Sequence, residues 1–142
     1  GGYDGRTRFK SVERYTPLTN TWEPVSDLAG VVRFASSARV MDNGDLCVVG
    51  GASAGGHANV LKTMEVYDRV TDTWTAKANL NKSRSKTALT LIDGALHAIG
   101  SGGGRRTVER YDDAVDSWSI VPEMQLPSGV RKKNSAVIVQ EL

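Results

Sequence analysis

The chain has 142 residues, of which 39% are hydrophobic and 24% charged, and its formal net charge is +2. This length is typical of one domain, and so small a net charge favours neither a nucleic-acid partner nor a membrane partner. No apolar run approaches the roughly 20 residues that a membrane-spanning helix needs. The single cysteine, Cys47, excludes an internal disulfide framework and is expected to be a buried, inert thiol. We therefore expect a reduced, cytoplasmic protein.

A repeat organises the chain and is visible in the spacing of its aromatic residues. Each tryptophan follows a tyrosine by seven residues, in the pairs Tyr15–Trp22, Tyr67–Trp74 and Tyr111–Trp118. A polar turn precedes each tryptophan, glycine pairs or clusters lie upstream, and a glutamate stands two residues before each tyrosine: Glu13, Glu65 and Glu109. The tryptophans are 52 and then 44 residues apart. A period in this range indicates a repeat architecture.

Within each unit the sequence predicts short β-strands bounded by Gly, Asn or Asp. In the second unit these strands are expected at residues 35–41, 45–50, 63–68 and 73–76. Asn43-Gly44 and Asp93-Gly94 join first to second strands in units two and three, and both dipeptides favour type I′ hairpin turns. Four antiparallel strands per unit, linked by tight turns, predict the blades of an all-β propeller.

The predicted strands divide the chain into four parts. Residues 1–28 hold the third and fourth strands of a first blade, residues 29–80 and 81–126 form two complete blades, and residues 127–142 supply the first strand of a fourth. Propellers close with four to eight blades, so we expect an incomplete propeller of about three blades that is a piece of a longer domain. The alternative is a two-chain propeller in which residues 134–140 join residues 9–15 of a second copy, although the absent second strand argues against it.

Three motifs recur in phase in the three units: a glycine pair or cluster, Glu-x-Tyr and Tyr-x6-Trp. Together they resemble the kelch repeat, most closely the form found in the propellers of BTB-kelch adaptor proteins. WD40 repeats fit less well, because each tryptophan follows Thr or Ser and Trp22-Glu23 is the nearest match to Trp-Asp. The resemblance implies a protein-binding module that recognises substrates for a cullin-RING ubiquitin ligase. Cullin-3 would then be recruited only through BTB and BACK regions outside this chain. The alternative is an actin-binding or cytoskeletal scaffold, because other kelch proteins bind actin.

In that family the loops that join second to third strands and fourth to first strands meet on one face, which binds a peptide or another protein. The resemblance implies that this chain binds a partner through Tyr3, Asp4, Arg33, Ser53, Arg84, Ser101 and Arg131. Arginine forks pair with carboxylates, and further Lys and Arg residues lie in these loops, so an acidic ligand is expected. In the alternative interpretation, the three arginines are structural and bond carbonyls between blades.

The recurring tyrosines and tryptophans are expected in the core, because packing requires one set in each blade. Tyr3 lies outside that pattern and is expected at an interface. His57 and His97 have no second ligand at a metal-binding spacing, and no Gly-Lys-Ser/Thr follows the glycine cluster near residue 102. We therefore expect no catalysis, no metal and no cofactor.

Overall fold

The computed structural model describes residues 1–53, 59–101 and 106–125. The first two pairs of strands are β1 (Gly2–Tyr3), β2 (Arg8–Phe9), β3 (Val12–Thr16) and β4 (Thr21–Val25). The next four are β5 (Ser37–Val40), β6 (Leu46–Val49), β7 (Met64–Asp68) and β8 (Thr73–Lys77). The last four are β9 (Ala88–Ile92), β10 (Ala95–Ile99), β11 (Val108–Asp112) and β12 (Ser117–Ile120), followed by a 3₁₀ turn, Pro122–Met124.

The strands pair with their neighbours in sequence and form antiparallel sheets. Strands β5-β6-β7-β8 make one four-stranded sheet, β9-β10-β11-β12 make a second, and β3-β4 and β1-β2 form two-stranded sheets. The predicted all-β architecture of four-stranded antiparallel units is confirmed. The predicted first strand at residues 134–140 lies outside the described residues.

The Tyr-x6-Trp spacing arises from the strand register of a β-hairpin, which places the two residues opposite each other. In β7–β8, Tyr67 lies directly opposite Trp74, and their ring centroids are 5.1 Å apart. The turn between them places Asp72 at φ 53°, a left-handed conformation that Asp and Asn tolerate better than most residues. The Tyr67 hydroxyl donates to Asp72 Oδ1 at 2.7 Å. The same ring pair and the same hydroxyl bond recur in β3–β4 and β11–β12.

The two predicted type I′ turns differ. Asp93 and Gly94 both have positive φ between the paired residues Ile92 and Ala95, as a type I′ turn requires. At the other turn only Gly44 has positive φ, and its N–H donates to Met41 O at 3.0 Å. That loop has one more residue, which fits a type I turn closed by a left-handed glycine, so the type I′ prediction is wrong there.

Most of the core lies between the two four-stranded sheets. It includes Met64, Val66, Leu96, Tyr111 and Trp118. Cys47 in the same cluster is fully buried, and its burial raises the pKa of the thiol to about 11. The predicted burial of this free thiol is therefore confirmed.

A second cluster joins the β3–β4 sheet to the first four-stranded sheet and contains Leu28, Val48, Tyr67 and Trp74. The tryptophans of the four-stranded sheets are buried, with Trp74 8% and Trp118 7% exposed. Trp22 is 67% exposed and Tyr15 41% exposed, so the prediction that all six aromatics lie in the core is wrong for this pair. Trp74 and Trp118 pack in clusters that include residues of the preceding unit. Among the described residues, no unit precedes β3–β4.

Candidate functional site at the loop face

The connections at one end of the sheets form a continuous surface, which we call the loop face. It consists of the described parts of the second-to-third-strand loops (residues 1–11, 50–63 and 100–107) and the fourth-to-first-strand loops (residues 26–36 and 78–87). Backbone hydrogen bonds join the two kinds of loop: Gly2 N–H donates to Arg33 O at 2.9 Å, and Gly51 N–H donates to Arg84 O at 2.8 Å. Loops from neighbouring units therefore meet on one face.

The glycine pairs are required by this contact. Gly50 has φ +62°, and a Cβ built on it would lie 2.2 Å from the carbonyl oxygen of Arg84. Any side chain at this position would therefore push apart the two loops, since real Cβ contacts are not that short. The pattern that identified the repeat thus comes from close backbone approach between units.

Arg84 is buried and bonds the unit that follows its loop. Its Nη1 donates to Gly100 O at 2.7 Å and to Thr107 O at 3.1 Å, and its Nη2 donates to Thr107 Oγ1 at 2.8 Å. Its Nε and Nη2 both donate to Glu109 Oε1, at 3.1 and 2.8 Å. Neither ion-paired side chain is exposed to solvent.

Arg33 makes an equivalent set of contacts one unit earlier. Its guanidinium donates to Gly50 O at 3.1 Å, to the backbone and side-chain oxygens of Thr63, and to Glu65. Glu65 also accepts the N–H of Gly30 at 3.0 Å. Each carboxylate therefore fixes both the arginine and the backbone of the loop that carries it.

The structure corrects the prediction that Arg33 and Arg84 face a ligand. Arg33 is 1% exposed and Arg84 is fully buried. Burial lowers the pKa of both guanidinium groups, while the paired glutamates act in the opposite direction, and arginine stays protonated in proteins. The alternative interpretation, that these arginines are structural, fits their contacts, but the side chains bond carbonyls of the unit that their loop leads into. The bonds between units are made by the backbone carbonyls of the same two residues.

Ser53 and Ser101 follow the glycine positions and are also buried, at 6% and 3% exposure. Ser53 Oγ accepts a hydrogen bond from Asn59 Nδ2 at 2.7 Å, and Ser101 Oγ donates to Ser85 O. Both hydroxyls are therefore engaged inside the loops. Arg131 lies outside the described residues.

Tyr3 is 46% exposed and belongs to an aromatic and cationic cluster. The Arg8 guanidinium carbon lies 4.7 Å from the centre of the Tyr3 ring and 5.5 Å from that of Phe34. The two rings are 5.4 Å apart, and the Tyr3 hydroxyl donates to Gly5 O at 2.6 Å. Arg8 is partly buried, and cation–π contacts of this kind order an arginine without removing its charge.

Asp4 is exposed and shapes the loop beside this cluster. Its Oδ1 accepts the N–H groups of Arg6 at 2.8 Å and Thr7 at 2.6 Å. These backbone hydrogen bonds lower the pKa of the Asp4 carboxyl. Of the predicted site residues, Tyr3 and Asp4 are therefore the ones that reach solvent on the described loop face.

The exposed charge of the loop face comes from the further Lys and Arg residues of these loops, since Arg33 and Arg84 are buried. Among the described residues its exposed cations are Arg6, Lys62, Lys82, Lys86 and Arg106. The opposite end of the sheets carries a groove of about 500 Å³ between the two four-stranded sheets. Four aspartates line that groove: Asp42, Asp93, Asp112 and Asp113. Arg110 lines it as well. On the loop face the exposed cations outnumber the exposed acids Asp4 and Asp27, so an acidic ligand would be attracted to that face.

Two features of the loop face were missed in the sequence. Phe34 and Arg8 give no local pattern, because their contact with Tyr3 joins loops of different units. Glu65 and Glu109 did carry a signal, since a glutamate recurs two residues before each tyrosine, on the same strand as a residue predicted to lie in the core. A buried carboxylate needs a cation, and the arginine that recurs once per unit provides it.

Comparison with known proteins supports the repeat assignment. The Kelch motif profile matches residues 1–29. The Kelch repeat and BTB domain-containing protein F47D12.7 of Caenorhabditis elegans is 32% identical over 121 residues, which cover 83% of this chain and 21% of that protein. Kelch-like protein 35 of Mus musculus is 29% identical over 127 residues, which cover 89% of this chain and 21% of that protein. The chain spans about a fifth of the length of these curated relatives.

The sheets, the repeat and these matches define the chain as a segment of a kelch-repeat β-propeller, a protein-binding module. Within that class it resembles the propellers of kelch-like proteins, so the predicted resemblance is confirmed. In the part of the chain that the structure describes, no helix is long and apolar enough to cross a membrane. The same residues contain no cluster of side chains suited to hold a metal ion.

Proposed function

We propose that the loop face binds an acidic protein or peptide, and that the chain acts as the substrate-recognition part of a cullin-RING ubiquitin ligase adaptor. The observation that carries the proposal is the cluster of the exposed Tyr3 with the partly buried Arg8 and Phe34, which joins two units beside the hydrogen bond from Gly2 N–H to Arg33 O. Aromatic and arginine side chains of this kind are enriched among residues that dominate binding energy at interfaces. The contacts of Arg33 and Arg84 support the proposal indirectly, because they fix the loops before any ligand arrives.

The ligase role is inferred from resemblance. One relative is named for a kelch repeat and a BTB domain, and BTB-kelch adaptors present substrates to a cullin ligase. In that arrangement this chain supplies the substrate-binding surface, and cullin-3 contacts other regions of the adaptor. The proposed ligand contacts are Tyr3 and Asp4 with the cations Arg6 and Arg8.

Affinity capture with the chain tests the binding surface. We expect Tyr3→Ala and Arg6→Glu to lose the captured ligand, because one removes the exposed ring and the other reverses the attracting charge. Arg69→Glu is the matched control, since Arg69 is equally exposed but lies in a third-to-fourth-strand turn at the opposite end of its sheet. Equal losses in Arg6→Glu and Arg69→Glu would contradict a site at the loop face.

The ligase role needs a separate measurement. We expect the full-length protein to co-precipitate cullin-3, and the ligand captured by this chain to accumulate when that protein is depleted. Co-sedimentation of this chain with actin filaments, without cullin-3 in the co-precipitate, would favour the cytoskeletal alternative instead. Binding at the loop face and the ligase role can therefore fail independently.

A further inference from the structure

A groove lies between the two four-stranded sheets, at the end of the molecule opposite the loop face. Its volume is about 500 Å³, which is within the range of about 300–1,000 Å³ that is usual for ligand pockets. It is lined by the two turns that join first to second strands, by part of β10 and by the end of β11. Both sheets have all four strands, so the walls of the groove belong to two complete units.

The buried part of the groove lining is apolar. Met41, Leu96 and Tyr111 line the groove, and all three are buried members of the core between the sheets. Leu91 also lines the groove and packs on the same core while it remains partly exposed. An apolar side chain that entered the groove would therefore extend this core and remove part of Leu91 from water.

The exposed part of the lining is mainly acidic. Asp42, Asp93, Asp112 and Asp113 line the groove, and Arg110 is the only cation among the described residues that do so. Asp42, Asp93 and Asp113 are exposed. No ion pair between described residues neutralises Asp42, Asp112 or Asp113. The groove therefore carries a net negative charge at neutral pH.

The acidic side chains come from two units and are spread along the groove. A Cβ built on Gly94 would lie 3.3 Å from Asp42 Oδ2, so the turns of the two units are in contact there. Among the described residues, no group of three or more acidic, histidine or cysteine side chains is placed to hold a metal ion. This distribution fits several cationic side chains on one peptide segment better than a single bound ion.

The negative charge extends beyond the groove. Eight of the 16 acidic residues of the chain lie in four turns at this end of the two sheets, at residues 41–45, 68–72, 93–94 and 112–116. Arg69 is the only cation in those four turns. A surface dominated by one sign of charge attracts partners of the opposite sign and speeds their association.

We propose that the groove is a second binding site, which takes a segment of a partner protein that has an apolar residue between lysine or arginine residues. The apolar side chain contacts Leu91. The flanking cations pair with Asp42 of the first sheet and with Asp112 and Asp113 of the second. Lysine and arginine suit this position because their aliphatic stems cover apolar surface while their charged groups stay at the water boundary. The site is independent of the one proposed on the loop face, since it lies at the opposite end and selects the opposite charge.

Selection from a phage-displayed library of random dodecapeptides tests this proposal. We expect the native chain to enrich peptides in which lysine or arginine flanks an apolar residue. A selected peptide should bind at least about 10-fold more weakly to Asp42→Lys and to Asp113→Lys, because both variants reverse a charge that attracts and orients it. Asp27→Lys is the matched control, since it makes the same charge change at an exposed position on the loop face. We expect its affinity to stay within about twofold of the native value, because distant exposed charges are screened by salt.

A second measurement separates binding in the groove from general attraction between charges. The selected peptide is synthesised again with serine in place of its apolar residue, and fluorescence anisotropy gives both dissociation constants. We expect the serine peptide to bind about 10-fold more weakly, because a buried aliphatic or aromatic side chain contributes about that much. Tyr3→Ala should leave the affinity of the original peptide unchanged, so this site and the loop-face site can fail separately. Urea denaturation checks that Asp42→Lys and Asp113→Lys fold, as expected of substitutions at exposed positions.

Several results would overturn the proposal. One is a selection that enriches only acidic or uncharged peptides. Another is equal weakening by Asp27→Lys and Asp42→Lys, or equal affinity of the serine peptide, since either would reduce the effect to general charge attraction. Self-association of the chain that Asp42→Lys abolishes would also overturn it, by assigning the groove to the loop face of a second copy.

Discussion

Strands β3 and β11 have nearly the same sequence, Val-Glu-Arg-Tyr-Thr in the first and Val-Glu-Arg-Tyr-Asp in the second, yet their surroundings are opposite. In β11, Glu109 and Tyr111 are buried, whereas Glu13 and Tyr15 of β3 are exposed. Both strands form the same hairpin with the same ring pair. Local sequence therefore determines the hairpin, and the segments packed on it, from its own unit and from the neighbouring one, determine what the hairpin buries.

The largest effect expected from this comparison is on the buried ion pair. Glu109→Ala would leave Arg84 without its ion-pair partner and the N–H groups of Asn81 and Lys82 without their acceptor. We expect a loss of roughly 3–5 kcal/mol in the free energy of unfolding. Glu13→Ala removes the equivalent exposed carboxylate and should change stability by no more than about 0.5 kcal/mol. Urea denaturation of both variants measures the difference. Similar losses in the two variants would show that the hairpins are energetically equivalent after all.

A smaller effect is expected at the tryptophans. Trp74→Phe removes the hydrogen bond from Nε1 to Ser26 O and part of a buried ring, and we expect a loss of about 1–2 kcal/mol. Trp22→Phe at the exposed position should stay within about 0.5 kcal/mol of the native chain. Thermal unfolding monitored by circular dichroism compares the two. A larger loss in Trp22→Phe would mean that β3–β4 is covered in solution.

The smallest effect concerns pH. Hydrogen bonds from Ser26 N–H and the Tyr67 hydroxyl lower the pKa of Asp72 below its ordinary 3.8, and those from Ala78 N–H and the Tyr111 hydroxyl do the same for Asp116. Because the folded-state pKa values are depressed, their stabilising contribution is present above pH 4 and is lost as the pH falls through the folded-state values. We therefore expect acid sensitivity below about pH 4.

The hairpin β3–β4 already has an amide, Asn20, where the other two have carboxylates. Asp72→Asn with Asp116→Asn would make all three hairpins alike, and we expect the stability of this double variant to depend less on pH between about 2 and 4. Asp27→Asn, an exposed change outside the hairpins, is the control. Melting temperatures measured across that pH range test this prediction. Parallel curves of melting temperature against pH for the double variant and the native chain would contradict the role of Asp72 and Asp116 in acid sensitivity.

The fold was largely predictable because its signals are local and repeated. Strand positions, the Tyr–Trp pairing and the glycine pairs all follow from spacing within a unit. The turn at Asn43-Gly44 was mispredicted because one extra loop residue changes the turn type without changing the dipeptide.

The candidate site was predicted less well, for a different reason. An arginine that recurs in a loop has the same spacing whether it faces solvent or an adjoining sheet, so Arg33 and Arg84 were placed on the wrong side of the loop. The recurring glutamate on the neighbouring strand would have favoured the buried position, because a buried carboxylate needs a cation. The exposure of Trp22 was not predictable from its own unit, because it depends on what precedes that unit.

The loops that carry the buried arginines also affect how the native structure unfolds locally. The backbone carbonyl of Arg84 bonds Gly51 of one unit, and its guanidinium bonds Glu109 of the next. No boundary between units can be drawn that leaves this residue wholly in one of them. Fluctuations should therefore spread across such junctions, as in other linear repeat arrays whose stability lies largely in the coupling of neighbours. Amide protons of both adjoining units would then exchange together, so that the cooperative unit of native-state opening is the junction and not the blade.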